Sequence, residues 1–215
     1  MLWIVSFVAA LLCIFGFRFA YFYLCVRGKS ERVSRKDLPL RLMVILGSGG
    51  HTTEALSLLS QMSASKYYPV TFVLADTDST SAMRAAVLQR LDAETKEEAK
   101  FVKIPRSREV RQAWLSSAWS TLYATMYALP IVITERPDVI LCNGPGTCVP
   151  ICLVAWIFNI VGLRRSIITF VESICRVKSL SLSGKILYYV ADVFFVQYQY
   201  LKERYPRAVF LGRLV

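Results

Sequence analysis

The chain has 215 residues, 55% of them hydrophobic, and 26 Lys and Arg stand against 15 Asp and Glu for a formal net charge of +11. That length holds one domain with a full core plus an appendage. The basic residues are scattered with no dense tract, so no nucleic-acid partner is expected and an anionic membrane surface fits better. Cys13, Cys25, Cys142, Cys148, Cys152 and Cys175 form no CxxC pair and have no histidine at metal-ligand spacing, so they read as small buried hydrophobes rather than disulfide or zinc ligands.

The first element is apolar. Leu2 to Val26 carries one charge, Arg18, and as a helix of 25 residues would be about 37 Å long, enough to cross a hydrocarbon core of about 30 Å. No Lys or Arg precedes it and no cleavage site follows Ala9-Ala10, so residues 1–26 read as an uncleaved membrane anchor and not a secretory signal. A monotopic interfacial helix is the alternative. Arg18 must snorkel or meet a partner. Residues 27–39 form a basic linker whose Arg27, Lys29, Arg32, Arg35 and Lys36 place the rest of the chain on the cytosolic side.

From residue 40 to 215 strands and helices alternate. Strands are expected at Leu42–Leu46, Val70–Ala75, Phe101–Ile104, Val139–Cys142, Ser166–Val171, Val193–Val196 and Val209–Leu211. Helices are expected at Thr52–Met62, Ser79–Leu91, Val110–Thr134, Pro150–Ile160, Leu180–Val190 and Tyr200–Arg204. Such alternation predicts an α/β fold, a Rossmann-like parallel sheet with helices on both faces. The apolar run Val149–Leu163 is too short, and too interrupted by Pro150 and Asn159, to prefer a second span over a buried helix.

Chemistry concentrates at the strand ends. Gly47-Ser48-Gly49-Gly50 turns off the first strand into a helix, where backbone N–H groups and the helix dipole can meet a phosphate. A dinucleotide fingerprint needs glycine where Thr52 stands, and no GxxxxGK[ST] occurs, so neither NAD binding nor P-loop hydrolysis is expected and no cofactor is called for. His51, the only histidine, follows at once; imidazole is the side chain suited to taking a hydroxyl proton near neutral pH. Asn143-Gly144-Pro145-Gly146-Thr147 builds a second small-residue loop on the same edge, so that two loops can clasp a diphosphate, and Glu172 ends the next strand and can bind a sugar hydroxyl or orient His51. Asp76-Thr77-Asp78 reads as a helix start capped by Asp78 or Ser79, not as a DxD metal motif, and no metal site is expected. Trp114, Trp119, Tyr123 and Tyr127, with Arg106, Arg108 and Arg111 before them, suit core packing, an anionic lipid surface or a pyrophosphate.

Taken in order, GSGGHTTE (Gly47–Glu54), IPRSREV (Ile104–Val110), LCNGPGTCVPIC (Leu141–Cys152), VESICRV (Val171–Val177), SLSGKIL (Ser181–Leu187) and the terminal LGR (Leu211–Arg213) resemble the family of membrane-anchor subunits of the eukaryotic UDP-N-acetylglucosamine transferase of asparagine-linked glycosylation. The resemblance runs from about Arg41 to Val215. More remotely, GSGGH and NGPG are similar to the glycine loops of the bacterial peptidoglycan lipid-intermediate N-acetylglucosaminyltransferase, whose GGTGGH differs by Gly to Ser and the loss of one residue.

The resemblance implies the acceptor lobe of a GT-B glycosyltransferase, with the donor lobe on a separate polypeptide; the chain stops about where a continuous enzyme would pass into that lobe. A soluble catalytic subunit would hold UDP-N-acetylglucosamine, and this chain would recruit it to the cytosolic face of the endoplasmic reticulum. The pair would add the second N-acetylglucosamine to the dolichyl-diphosphate-linked first. Gly47, Ser48, Gly49, Gly50, Asn143, Gly144, Gly146 and Thr147 would hold the acceptor diphosphate, His51 and Glu172 would serve the chemistry, and Leu211, Gly212, Arg213, Leu214 and Val215 would dock the partner. A structural recruiter without chemistry, or a self-sufficient homodimeric transferase, are the rival readings.

Overall fold

Alternate residues of the first strand go to opposite sides, which decides the layering. In β1 (Leu40–Ile45) Met43 and Ile45 enter one core, while Leu42 and Val44, with Leu46 just beyond, enter another. Both sides of a strand are apolar only when a sheet is covered on both faces. The computed structural model describes residues 2–26, 39–78, 80–85, 99–107 and 112–215. Residues 27–38 of the expected basic linker at 27–39, Ser79 and residues 86–91 of the helix read over Ser79–Leu91, and Arg108, Val110 and Arg111 lie outside the described residues.

The elements follow the expected order. After β1 come α2 (Gly50–Ser60), β2 (Tyr67–Ala75), a helical stretch at 80–85, β3 (Lys100–Ile104), α3 (Trp114–Glu135) and β4 (Val139–Asn143). Then follow α4 (Cys148–Val161), β5 (Ile167–Val171), α5 (Leu182–Leu187), β6 (Val193–Val196), α6 (Gln199–Arg204) and β7 (Val209–Phe210). The seven strands form one parallel sheet in the order β3-β2-β1-β4-β5-β6-β7. The order reverses between β1 and β4, the switch point where such sheets open a crevice at their carboxyl edge. The expected strands and helices are all present, displaced at their ends by a few residues, with the second part of the Ser79–Leu91 helix undescribed.

The larger core gathers α3, α4 and the α5 region against Ile140, Cys142, Ile168 and Phe170, and the smaller gathers α2 against Leu42, Val44, Phe72 and Leu74. Val149, Ile151, Cys152, Val154, Ala155 and Ile160 are buried, so α4 is a core helix, as its interrupted apolar run suggested. Cys142, Cys148 and Cys152 are buried in that core and burial pushes their thiols up, the behaviour of small hydrophobes, whereas Cys13 and Cys175 are exposed. The outward side of α3 is apolar too: Trp119 (73% exposed), Tyr123 and Met126 (68%) face away from the core.

The amino-terminal helix α1 (Leu2–Tyr21) passes into a π-helical turn, Phe22–Val26. Val5–Leu24 has a mean hydropathy of 2.0 and only 7% of it is buried, so it is long and apolar enough to cross a membrane. Arg18 is not stranded in it. Its Nε donates to the carbonyl of Ile160 at 3.3 Å, at the carboxyl end of α4, where Gly162 is left-handed (φ 77°) and a Cβ would collide with the guanidinium. A cation is favourable there because the last helical carbonyls lack partners and the dipole is negative. Phe22 is buried beneath Arg165, 5.3 Å from its ring centre, and Phe19 meets Trp156 edge-on at 6.1 Å, so the base of this helix packs on the domain.

Candidate functional site

β1 delivers the glycine turn to the carboxyl edge and β4 delivers Asn143 and Gly144 beside it, because the two strands pair in parallel, Ile45 opposite Cys142. The turn needs glycine at Gly49, whose φ is +65°, and the second loop needs it at Gly144, φ +74°. Close approach adds a second reason at Gly144: a Cβ there would stand 2.6 Å from His51 Cε1, so the imidazole lies against bare backbone. At Gly47 a Cβ would come within 2.6 Å of Pro145 Cβ, so the two loops touch. Ser48, Gly49, Gly50 and Gly146 are exposed, while Gly47, Asn143, Gly144 and Thr147 are buried.

His51 stands in the first turn of α2, half-buried, and its Nδ1 is 3.3 Å from Asn143 Oδ1. Chemistry fixes which way that amide faces. Asn143 Nδ2 donates to Glu54 Oε2 at 3.0 Å and to the Val171 carbonyl at 3.4 Å, both groups that only accept when the carboxylate is ionised. Oδ1 is therefore the atom toward the histidine, and in the neutral ring the proton stands on Nδ1 and the lone pair on Nε2. Among the described residues the ring has no other hydrogen bond.

Glu54, one turn after His51, is buried and ties three segments together. Besides Asn143 it accepts from Ser173 Oγ at 2.7 Å and from the Ile174 N–H at 3.4 Å. In the sequence Glu54 stands inside GSGGHTTE with no role expected of it. The available signal was its spacing, since His51 and Glu54 at i and i+3 share one flank of a helix.

Glu172 is placed differently from expectation. It is fully buried at the same edge, but its Oε2 accepts from Ser181 N at 2.9 Å and Ser181 Oγ at 3.1 Å, and its Oε1 from Ser173 N at 3.2 Å. Ser181 in turn caps α5, accepting from Gly184 N at 2.9 Å. Glu172, expected to bind a sugar hydroxyl or to orient His51, accepts hydrogen bonds here from the start of α5 and from the Ser173 amide, and the group that meets the His51 ring is Asn143, backed by Glu54. Burial pushes the Glu172 carboxyl above the usual carboxylate range against the opposing pull of its Ser181 and Ser173 donors and Arg176.

The rim supplies more polar groups. Thr52 Oγ1 donates to the Gly47 carbonyl, and the single Ser81 hydroxyl proton lies between that carbonyl at 3.0 Å and Asp78 Oδ2 at 2.7 Å, which sets the 80–85 stretch against the turn. Asp78 Oδ1 accepts from Ser81 N at 3.1 Å, the cap geometry expected of Asp78 or Ser79. Arg84, unremarked in the sequence, lies 3.5 Å from the Gly49 carbonyl and 3.4 Å from Thr53 Oγ1, an exposed cation beside the turn.

The carboxyl-terminal tail reaches back toward this edge. Gln197 Oε1, just past β6, accepts from Leu214 N at 3.1 Å and Val215 N at 3.4 Å, and Gln61 Nε2 donates to the Leu214 carbonyl at 3.2 Å. Leu211 and Arg213 remain exposed, Gly212 is half-buried, and Arg213 lies 5.9 Å over the Tyr198 ring.

A parallel sheet of this order, covered on both faces and with glycine turns gathered where it reverses, is a Rossmann-like α/β fold. The structure is similar to that of Acinetobacter baumannii MurG, with a TM-score of 0.57 and 18% identity over 81% of this chain and 45% of that one. It is also similar to a putative UDP-N-acetylglucosamine 2-epimerase from Listeria monocytogenes, with a TM-score of 0.56 and 17% identity over 79% of this chain and 42% of that one. The chain thus spans less than half of either structure, and at such identities the likeness is one of fold.

Sequence similarity goes further. Residues 42–214 match the family model described as "Oligosaccharide biosynthesis protein Alg14 like". The chain is 50% identical over 182 residues to UDP-N-acetylglucosamine transferase subunit ALG14 of Mus musculus, covering 82% of this chain and 83% of that protein. Against the subunit of the same name from Schizosaccharomyces pombe it is 39% identical over 190 residues, covering 86% and 89%. The chain belongs to the Alg14-like family.

Proposed function

We propose that this chain is the membrane-anchored, acceptor-binding subunit of a two-chain UDP-N-acetylglucosamine transferase, active only with a soluble partner that holds the nucleotide sugar. The relatives' names, which describe a transferase subunit, support that division. The apolar amino-terminal helix fixes the subunit to the endoplasmic reticulum membrane, and the basic residues after it favour the cytosolic face. The acceptor is the dolichyl-diphosphate-linked N-acetylglucosamine, which receives the second sugar of the oligosaccharide.

The observation that carries the reading is His51 lying on Gly144 between two glycine turns, with Nδ1 committed to Asn143 and Nε2 free to accept a proton. The exposed amides of Ser48, Gly49, Gly50 and Gly146 face an anionic diphosphate, with Gly47, Asn143, Gly144 and Thr147 shaping the clasp and Arg84 adding a cation. His51 Nε2 takes the proton of the acceptor hydroxyl as its oxygen attacks the anomeric carbon of the donor. The bond from that carbon to UDP breaks, UDP leaves with the electron pair, and the anomeric configuration inverts. The tail from Leu211 to Val215 docks the partner, with Leu211 and Arg213 outermost. No cofactor or metal enters this scheme.

His51→Ala in the reconstituted pair tests it. Turnover falls about 100-fold or more, the scale of a lost general base, while co-purification with the partner stays intact. Near-normal turnover of the intact pair would remove His51 from the chemistry. Deletion of Gly212 to Val215 abolishes partner recovery if the tail docks it.

A further inference from the structure

The same edge that holds His51 also holds the tail, and a run of polar contacts, buried in its middle and half-buried at its two ends, joins them. Leu214 N and Val215 N donate to Gln197 Oε1 at 3.1 and 3.4 Å, and Gln197 Nε2 donates to the Glu172 carbonyl at 3.0 Å. That carbonyl belongs to the peptide that leads into Ser173, whose hydroxyl donates to Glu54 Oε1 at 2.7 Å. Glu54 Oε2 accepts from Asn143 Nδ2 at 3.0 Å, and Asn143 Oδ1 meets His51 Nδ1 at 3.3 Å. Gln197 is 2% exposed, Glu172 and Asn143 are fully buried and Ser173 is 4% exposed.

We propose that Gln197 is a positioning residue that couples the carboxyl-terminal tail to His51, so that seating of the tail and alignment of the ring are one event. A side-chain amide suits this work because it is donor and acceptor at once: its oxygen is spent on the tail and its N–H on the 172–173 peptide. Movement of the tail frees the amide to turn, which withdraws the donor from the Glu172 carbonyl and lets the Ser173 hydroxyl shift against Glu54. Buried polar groups transmit such shifts because every lost partner is costly away from water. The coupling acts in both directions, as any equilibrium linkage must. Its catalytic meaning rests on the proposed roles of His51 and the tail: a partner gripping the tail would thereby set the base that works on the acceptor.

The chain carries a single histidine, so the ring ¹⁵N resonances of the full-length protein in detergent micelles report His51 alone. Two variants disturb the far end of the path without touching the site, Gln197→Met and a truncation after Arg213. Both are expected to move the His51 ring ¹⁵N signals in the same sense, away from the tautomer with the proton on Nδ1, and the double variant is expected to match either single one. In the assembled transferase Gln197→Met lowers kcat by about 2- to 30-fold with KM for the acceptor unchanged, the usual span of such couplings. Ring signals that coincide with wild type in both variants, with backbone spectra otherwise preserved, overturn the coupling. Additive displacements in the double variant overturn it as well. A His51→Ala protein that keeps its turnover would sink the catalytic reading while leaving the ring displacement, and so the coupling, in place.

Discussion

Glu54 and Glu172 are two buried carboxylates at one edge of the sheet, and their neighbours give them opposite characters. Glu54 sits on a helix and is held mainly by side chains, the Asn143 amide and the Ser173 hydroxyl, with one long backbone contact to Ile174. Glu172 follows a strand and is held by two backbone N–H groups and one hydroxyl. The difference is one of reversibility. A hydroxyl can donate or accept, whereas a backbone N–H can only donate. Side-chain partners therefore leave Glu54 able to serve a site that must align a ring, and backbone partners make Glu172 a fixed joint between β5 and α5.

Replacing Glu54 by Leu gives the largest effect expected of this contrast. Asn143 Nδ2 and Ser173 Oγ lose their carboxylate inside the buried edge, the Asn143 amide is free to reverse, and its NH₂ then faces His51 Nδ1, which moves the ring proton to Nε2. Turnover in the reconstituted pair falls about 100-fold, comparable with loss of the base itself. Glu54→Gln is the control: its NH₂ can face the Ser173 hydroxyl, which accepts, while its carbonyl keeps Asn143. Activity near wild type is expected for Gln and not for Leu; equal loss in both would mean that charge, and not the acceptor facing Asn143, is what the site requires.

At Glu172 the same change is expected to behave in reverse. Ser173 N and Ser181 N each point at a different oxygen, so an amide NH₂ meets a donor in either orientation. Glu172→Gln therefore destabilises the domain by about 1–3 kcal/mol, the cost of an unmade buried bond. This lowers Tm by about 2–4 °C for each kcal/mol, and the kcat of the folded fraction is preserved. A normal melting curve with lost turnover would return Glu172 to the chemistry.

How far these roles were legible depends on what sets them. The sheet was readable because both faces of its central part are covered, which makes strands such as Val193–Val196 short unbroken apolar runs. The glycine turns and His51 were readable because positive φ and close approach demand glycine at Gly49 and Gly144. The place of Glu172 at the end of β5 was also legible. Its partners were not, because Ser181 returns through a loop whose path no local pattern specifies, and one peptide of rotation decides which edge group a strand-end side chain meets. Arg18 showed the same limit: its charge announced a need for a partner, and only packing revealed the carboxyl end of α4. Gln197, an unremarkable polar residue after β6, carried no local signal at all.

The smallest effect expected of the contrast is a pH dependence. Burial raises the Glu172 carboxyl above its ordinary range, so the folded chain binds that proton more tightly than the unfolded one. Between the unfolded value, about 4.3, and the raised folded value, the native state is protonated where the unfolded state is not. Stability consequently falls as pH rises through this window and stays lower above it. The glutamine variant lacks the group, so the margin of wild type over Glu172→Gln is greatest below the unfolded value and narrows as pH climbs through the folded one. Urea unfolding of the two full-length chains in detergent, compared from pH 4 to 7, reads that margin directly. The upper limit keeps the thiols of Cys142, Cys148 and Cys152 out of the measurement, since thiols ordinarily ionise near 8.5 and burial moves these three higher still. A margin that widens with pH would mean that the donors of Ser181 and Ser173 outweigh burial and that the joint holds an ionised carboxylate more firmly than water does.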